Sequence, residues 1–187
     1  MEVSRSAASG RGSSRVSASF QIPPMMVRNL SRARAEGAVI RFGVRLGSYH
    51  LLIAAQTFSE VVARAACYPI PHTPPWLLGL LNQRGHLLPV FDVHQLLHTG
   101  EAEHDRHTVL VLDQGSAAVG LCIDGMPESV VLEQRLRQVP SLPALLAAHV
   151  AVAYRCDQTT WLDFDHEGFF TTLGQQIVQA PDAHICA

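Results

Sequence analysis

The chain has 187 residues, among them 14 arginines and no lysine. The lack of lysine excludes phosphate-binding loops of the Walker type and Schiff-base catalysis. The formal net charge of -2 is unevenly spread, because residues 1–45 hold eight arginines and two glutamates, whereas residues 46–187 hold six arginines and fourteen acidic residues. The sequence therefore predicts a short basic segment attached to an acidic body.

The N-terminal segment has the composition of a disordered arm. Residues 1–19 contain seven serines and three arginines, so they can bury too little apolar surface to offset the entropy lost on ordering. We expect residues 1–37 to be disordered, or partly helical over Val27–Glu36, and residues 181–187 to be a flexible tail. The folded body is then expected over residues 38–180.

The pattern of apolar residues gives no sign of export or membrane insertion. The longest mostly apolar stretch, Leu142–Tyr154, is too short to span a bilayer, and the N-terminus does not resemble a secretory signal. The four cysteines show no C-x-x-C spacing, so free thiols are expected. We therefore expect a cytoplasmic protein without direct membrane insertion.

The body consists of short apolar runs separated by turn residues. Alternation predicts a hairpin from Val39–Leu46 and Tyr49–Ile53 around Gly47-Ser48. Further strands are predicted over Val61–Tyr68, Leu80–Asn82, Leu87–Phe91, His107–Asp113, Ala117–Ile123, Ser129–Leu132, Val150–Cys156 and Trp161–Phe164. Short turns or helices are predicted at Thr57–Glu60, Trp76–Leu78, Val93–His98, Pro140–Leu146 and Phe169–Ile177. Many short strands with little helix favour a mainly β fold built from small barrels or a sandwich, and the length of the body fits two small barrels better.

The candidate chemical sites are weak. His94 and His98 have the i, i+4 spacing of a helical metal-ligand pair, but no glutamate follows His94 as in a zinc-protease helix. No serine lies in a G-x-S-x-G motif, and the cysteines lie mostly in apolar runs. The basic arm lacks interleaved aromatic residues and the body is acidic, which argues against nucleic-acid binding. The sequence predicts a non-enzyme without cofactor or metal, with a histidine-based metalloprotein as a lesser alternative.

One run, Gly79–Val93, combines a strand, a polar Asn-x-Arg-Gly turn and a return strand that ends in Pro-Val-x-Asp. Two further blocks accompany it. Val119–Met126 reads V-G-x-x-I-D-G-M, and Arg41–Gly47 is followed by a Phe-Ser-Glu-Val segment at residues 58–61. Together the three blocks resemble the CheW family, the coupling proteins of bacterial chemosensory arrays. The C-terminal third, over residues 134–164, resembles the PilI branch that serves twitching motility driven by type IV pili.

The resemblance implies two five-stranded SH3-like barrels packed together, and no catalysis. It implies an adaptor that couples the cytoplasmic tip of methyl-accepting chemoreceptors to the regulatory domain of a chemosensory histidine kinase, in chemotaxis or twitching motility. A stand-alone CheW-like domain that binds another signalling protein remains an alternative.

The three blocks also indicate candidate site residues. The candidates for partner contact are Asn82, Arg84, Gly85, Phe58, Glu60 and Val61. Arg84 presents a planar guanidinium on a tight turn, while Gly85 supplies a backbone angle that a β-carbon would penalise. The alternative is that these residues only stabilise the turn or the core. Asp92, Asp124 and Gly125 are expected to be turn formers or caps.

Overall fold

The computed structural model describes residues 39–97, 99 and 108–179. The predicted N-terminal arm, its helix over Val27–Glu36, His98 and the C-terminal tail lie outside these residues. The described chain forms two six-stranded sheets, which we call sheet A and sheet B. The prediction of a mainly β fold in two units with few helices is confirmed.

Sheet A has the strand order β10-β11-β12-β2-β1-β9. Its strands are β1 (Ile40–Leu46), β2 (Tyr49–Ile53), β9 (Glu128–Val131), β10 (Gln134–Arg135), β11 (Val150–Cys156) and β12 (Thr159–Phe164). All pairs are antiparallel except β12 with β2, which run parallel. The first and last parts of the folded body therefore meet in the middle of one sheet.

Sheet B has the order β3-β7-β8-β6-β5-β4. Its strands are β3 (Ser59–Val62), β4 (Cys67–Tyr68), β5 (Leu77–Gln83), β6 (His86–Phe91), β7 (Val109–Leu112) and β8 (Val119–Cys122). They are consecutive in the chain, so sheet B is inserted between β2 and β9 of sheet A. The two-residue strands β4 and β10 bring each sheet to six strands instead of the expected five.

Two helices follow sheet B in the chain. The short α1 (Ala144–Ala147) and the longer α2 (His166–Gln179) both lie close to predicted helical positions. Phe169, Phe170 and Leu173 of α2 are buried in the largest core cluster. That cluster also receives side chains from both sheets, so α2 and the facing sheet surfaces form one continuous hydrophobic core.

Two smaller clusters fill the other faces of the sheets. Leu81, Leu88, Val90 and Val109 belong to the cluster on sheet B, whereas Leu52, Val130, Cys156 and Trp161 form the cluster on sheet A. Each sheet therefore contributes buried side chains from both of its faces. Cys67, Cys122 and Cys156 form no disulfide within the described part of the chain.

Three local predictions were wrong. Val61–Tyr68 is not one strand, because β3 pairs with β7 and β4 pairs with β5 at opposite edges of sheet B. Residues 59–60 belong to β3 and not to a capped turn. Residues 77–78 belong to β5 and not to a helical turn, because Leu77 pairs with Phe91 of β6.

The predicted helical turn after β6 is present in reduced form. The N–H of Leu97 donates to the carbonyl of Val93 over 3.0 Å, which closes a single turn. The chain at His98 lies outside the described residues.

Candidate functional site

The Asn-x-Arg-Gly turn lies at the tip of the hairpin formed by β5 and β6. Gln83 pairs with His86, which leaves Arg84 and Gly85 as the two-residue loop. Both have positive φ, 53° and 89°, as the type I′ turns of tight hairpins require. The Oδ1 atom of Asn82 accepts a hydrogen bond from the N–H of Gly85 over 2.9 Å. Asn82 and Gly85 therefore fix the turn that presents Arg84.

Arg84 is joined to Glu60 by an ion pair. Its Nη2 atom lies 2.9 Å from Oε1 of Glu60, and Glu60 belongs to β3, the edge strand on the far side of sheet B. Two elements so distant in strand order can meet only if the sheet curls on itself, so the pair closes one end of sheet B. The Arg84 side chain is 73% exposed, so most of it faces solvent.

The other two candidates near β3 differ in exposure. Phe58 is 41% exposed, and its carbonyl accepts a hydrogen bond from the N–H of Asp113. Val61 is half-buried and packs against the largest core cluster. Phe58 is therefore exposed at the surface and Glu60 contacts Arg84, whereas Val61 packs against the core.

An apolar surface adjoins the hairpin tip. Tyr68 pairs with Leu80, and Asn82 pairs with Leu87. Since side chains at i and i+2 of a strand share a face, Tyr68 and Leu87 lie on the same face of sheet B, and each is 63% exposed. Sequence reasoning missed both residues. The alternation of Leu80 with Asn82 carries part of the signal, but the edge position of Tyr68 depends on a non-local pairing.

The residues after β6 and β8 form a buried polar network. The Oδ1 atom of Asp92 lies 2.7 Å from Nδ1 of His94, and Oδ2 of Asp124 lies 3.3 Å from Nε2. The same Asp124 oxygen accepts the N–H of Gly47, in the turn between β1 and β2. The network therefore connects sheet B to a turn of sheet A. Gly125, next along the chain, has φ 76° and completes the bend after Asp124.

The charge state of His94 follows from this environment. Burial by itself would lower the pKa of His94, but hydrogen bonds to Asp92 and Asp124, together with their charges, outweigh it and raise that pKa. The imidazolium is thereby favoured between two carboxylates. Asp92 also accepts the backbone N–H of His94, so it orients both the main chain and the ring.

The histidine-based metal hypothesis finds little support in this arrangement. Both ring nitrogens of His94 contact carboxylate oxygens, and its predicted partner His98 lies outside the described residues. Within the described chain, potential ligand atoms of Asp113, His166 and Glu167 lie within 4.8 Å of one another. The Nε2 atom of His166 is 2.9 Å from Oδ2 of Asp113. This distance is that of a hydrogen bond between α2 and the turn after β7, so the contact does not require a metal ion.

The described helices offer no candidate for a membrane span: none combines the necessary length with sufficient hydropathy.

Comparison with known proteins identifies the family. The protein-family model for the CheW-like domain matches residues 42–173, which is most of the chain. The chain belongs to the CheW-like domain family. The matched region contains sheet B, all of sheet A except residues 40–41 of β1, and all the candidate site residues discussed above.

Individual relatives come from several systems. The chain is 27% identical to the chemotaxis protein CheW of Rhizobium meliloti over 108 residues, which covers 57% of this chain and 70% of the relative. It is 28% identical to PilI of Pseudomonas aeruginosa over 137 residues, 68% and 76% of the two chains. It is 32% identical to FrzA of Myxococcus xanthus over 84 residues, about half of that relative (52%) and 44% of this chain. PilI is thus among the relatives of this CheW-like chain.

A solved structure supports the fold. The scaffolding protein TtCheW of Thermoanaerobacter tengcongensis superposes with a TM-score of 0.59 at 18% identity, covering 71% of this chain and 88% of that one. At this identity the likeness concerns the fold alone. This likeness in fold agrees with the expected pair of SH3-like β units.

Proposed function

We propose that this CheW-like protein is a non-enzymatic adaptor that couples chemoreceptors to a chemosensory histidine kinase. The observation that carries the proposal is the ion pair of Arg84 with Glu60, which holds an exposed arginine at one end of sheet B. An exposed pair of this kind contributes only about 0–1 kcal/mol to stability. The arginine therefore has a stronger physical rationale as a contact for another protein than as a stabiliser of the fold.

The surroundings of Arg84 suit a protein partner. Phe58, just before β3, and Tyr68 and Leu87, on strands of sheet B, are large apolar side chains that remain exposed. Exposed large apolar side chains and exposed charged groups are typical of protein interaction sites. We assign the regulatory domain of the kinase and the cytoplasmic tip of a methyl-accepting chemoreceptor as the partners. The protein would act in the cytoplasm at membrane-bound receptor arrays, with residues 38–180 as the folded adaptor unit.

The test is a binding measurement with the full chain and the kinase regulatory domain, by isothermal titration calorimetry. Arg84→Ala is expected to weaken binding at least tenfold while the melting temperature shifts by only a few degrees. Arg64→Ala is a matched control, because Arg64 is also an exposed arginine in a turn, between β3 and β4, with a positive φ, 55° against 53° for Arg84. The control should bind like the wild type.

Two results would overturn the proposal. The first is an absence of binding by the wild-type chain to both the kinase domain and the receptor tip. The second is wild-type affinity in the Arg84→Ala variant. If Arg84→Ala instead unfolds the chain, the arginine stabilises the hairpin, and the interpretation as a contact residue is wrong.

A further inference from the structure

A cavity of about 330 Å³ lies at the outer edge of sheet A, far along the chain from the Arg84 hairpin. It is lined by Arg135, Leu136, Arg137, Val139, Ala151 and Val152. Arg135, Arg137 and Ala151 are exposed, so the cavity opens at the surface. Leu136 and Val139 pack against the largest core cluster, so part of the cavity lining is apolar and rests on the core.

The two arginines of this cavity have no acidic partner among the described residues. Arg41 and Arg84 have carboxylate oxygens within 2.9 Å, but no carboxylate of the described chain lies within ion-pair distance of Arg135 or Arg137. The surrounding body is acidic, with fourteen acidic residues against six arginines over residues 46–187. The cavity is therefore a local basic site on an acidic protein, and its uncompensated charge favours an acidic ligand.

The backbone beside the cavity is also available. β10 has a single neighbour, β11, and the N–H of Leu136 donates to the carbonyl of Ala153 on that side. Successive residues of an antiparallel strand direct their backbone N–H and C=O groups to opposite sides. The N–H and C=O of Arg135 therefore point away from β11, toward the open edge of β10. An extended peptide can add to such an edge through main-chain hydrogen bonds.

We propose that the edge of β10 and its cavity bind an acidic, extended segment of a partner protein. Carboxylates of the segment pair with Arg135 and Arg137, and an apolar side chain contacts Leu136, Val139 and Val152. The site lies on sheet A, whereas the adaptor surface proposed above lies on sheet B. The inference is thus independent of the adaptor function and can fail without it.

The experiment uses the full chain and fluorescein-labelled decapeptides, measured by fluorescence anisotropy. The probe repeats glutamate-glutamate-valine. Its two controls repeat serine-serine-valine, which removes the charge, and glutamate-glutamate-glycine, which removes the apolar side chain. The probe should bind at least tenfold more tightly than either control, with an affinity that falls as salt rises.

The protein variants test the place of binding. Arg135→Gln combined with Arg137→Gln should weaken binding of the probe at least tenfold. Arg45→Gln combined with Arg64→Gln removes the same charge from two exposed arginines elsewhere and should change the affinity less than twofold. Melting temperatures of both double variants establish that they are folded.

Three results would overturn the proposal. One is equal binding of the probe to the Arg135/Arg137 double variant and the wild type. Another is equal binding of the glycine-containing control, since contact would then depend on charge alone. The third is complete displacement of the probe by millimolar tripolyphosphate with no contribution from valine, which would make the cavity a site for small anions instead of a peptide.

Discussion

Arg84 and Glu60 are 24 residues apart in the chain, and their side chains meet 2.9 Å apart at one end of sheet B. One comes from the tip of the β5–β6 hairpin and the other from the edge strand β3. The pair therefore reports the curvature of the sheet as well as the position of the hairpin. The Arg84 side chain is mostly exposed. It can therefore pair with Glu60 across the sheet and still contact a partner protein.

Exchange of the two charges tests this relationship. Arg84→Glu and Glu60→Arg should each lower the affinity for the kinase domain. The double exchange should restore the melting temperature to within a degree or two of the wild type, because an exposed pair contributes about 0–1 kcal/mol and keeps its attraction when reversed. Affinity should stay low in the double variant, since the partner then meets a carboxylate at the hairpin tip. Recovery of full affinity would mean that only the internal pair matters.

Removal of the His94 side chain should reduce stability in a pH-dependent way. His94→Gln removes the imidazolium that contacts the buried Asp92 carboxylate, and breaking a buried pair typically costs about 3–5 kcal/mol. The pKa of His94 is raised in the folded chain above the value of about 6.5 expected when unfolded. The stabilisation is therefore fully present below about pH 6.5 and is lost as the pH rises through the folded pKa.

Urea unfolding of both chains between pH 5.5 and 8.5 measures this effect. The difference in unfolding free energy should be largest at the acidic end and should shrink as the pH increases. Among the described residues, the charged groups that contact the ring are Asp92 and Asp124. A difference that is constant, or that grows with pH, would contradict a protonated His94.

Gly79 and Gly85 should differ in their tolerance of alanine. A β-carbon at Gly79 would meet the backbone carbonyl of Tyr68, and its φ of 129° is unfavourable for other residues. We expect Gly79→Ala to lower the unfolding free energy by about 3 kcal/mol or more. At Gly85 the space is open and only the φ of 89° is strained, so the cost should be about 1–2 kcal/mol. Thermal unfolding would contradict this if the two costs were equal.

The described thiols should react slowly in the native chain. Cys122 and Cys156 are buried and Cys67 is half-buried, and burial raises the pKa of both Cys67 and Cys156. Since the thiolate is the reactive form, labelling by Ellman's reagent at pH 7.5 should be slow until urea unfolds the protein, with Cys67 reacting first. Cys186→Ser removes the cysteine outside the described residues. Immediate release of three equivalents from that folded variant would refute the expectation.

The sequence predicted most local features and failed where pairing is distant. The hairpin around Arg84 and Gly85 was predictable because its turn residues are adjacent and chemically distinctive. The separation of β3 from β4 was not, because each strand is defined by a partner in another part of sheet B. Residues 77–78 likewise look helical after two prolines, but Leu77 takes its conformation from pairing with Phe91.

The same distinction applies to the candidate site. Asn82, Arg84 and Gly85 form one turn that the motif already implied. The contact of Arg84 with Glu60 depends on how far sheet B curls, which no local pattern encodes. The role of His94 depends on Asp124, thirty residues later, so its two carboxylate neighbours could not be read from a helical spacing.

The insertion of sheet B into sheet A sets an order of events during synthesis. β1 and β2 are the first strands to leave the ribosome, but their neighbour β9 leaves only after sheet B, and their neighbour β12 is the last strand. Until then they are a two-stranded hairpin, which is marginally stable alone. The segment from β3 to β8 has all its strand partners once Cys122 has emerged. Sheet B can therefore form before β1 and β2 have all their neighbours in sheet A. Translation stalled before β12 would leave sheet A incomplete.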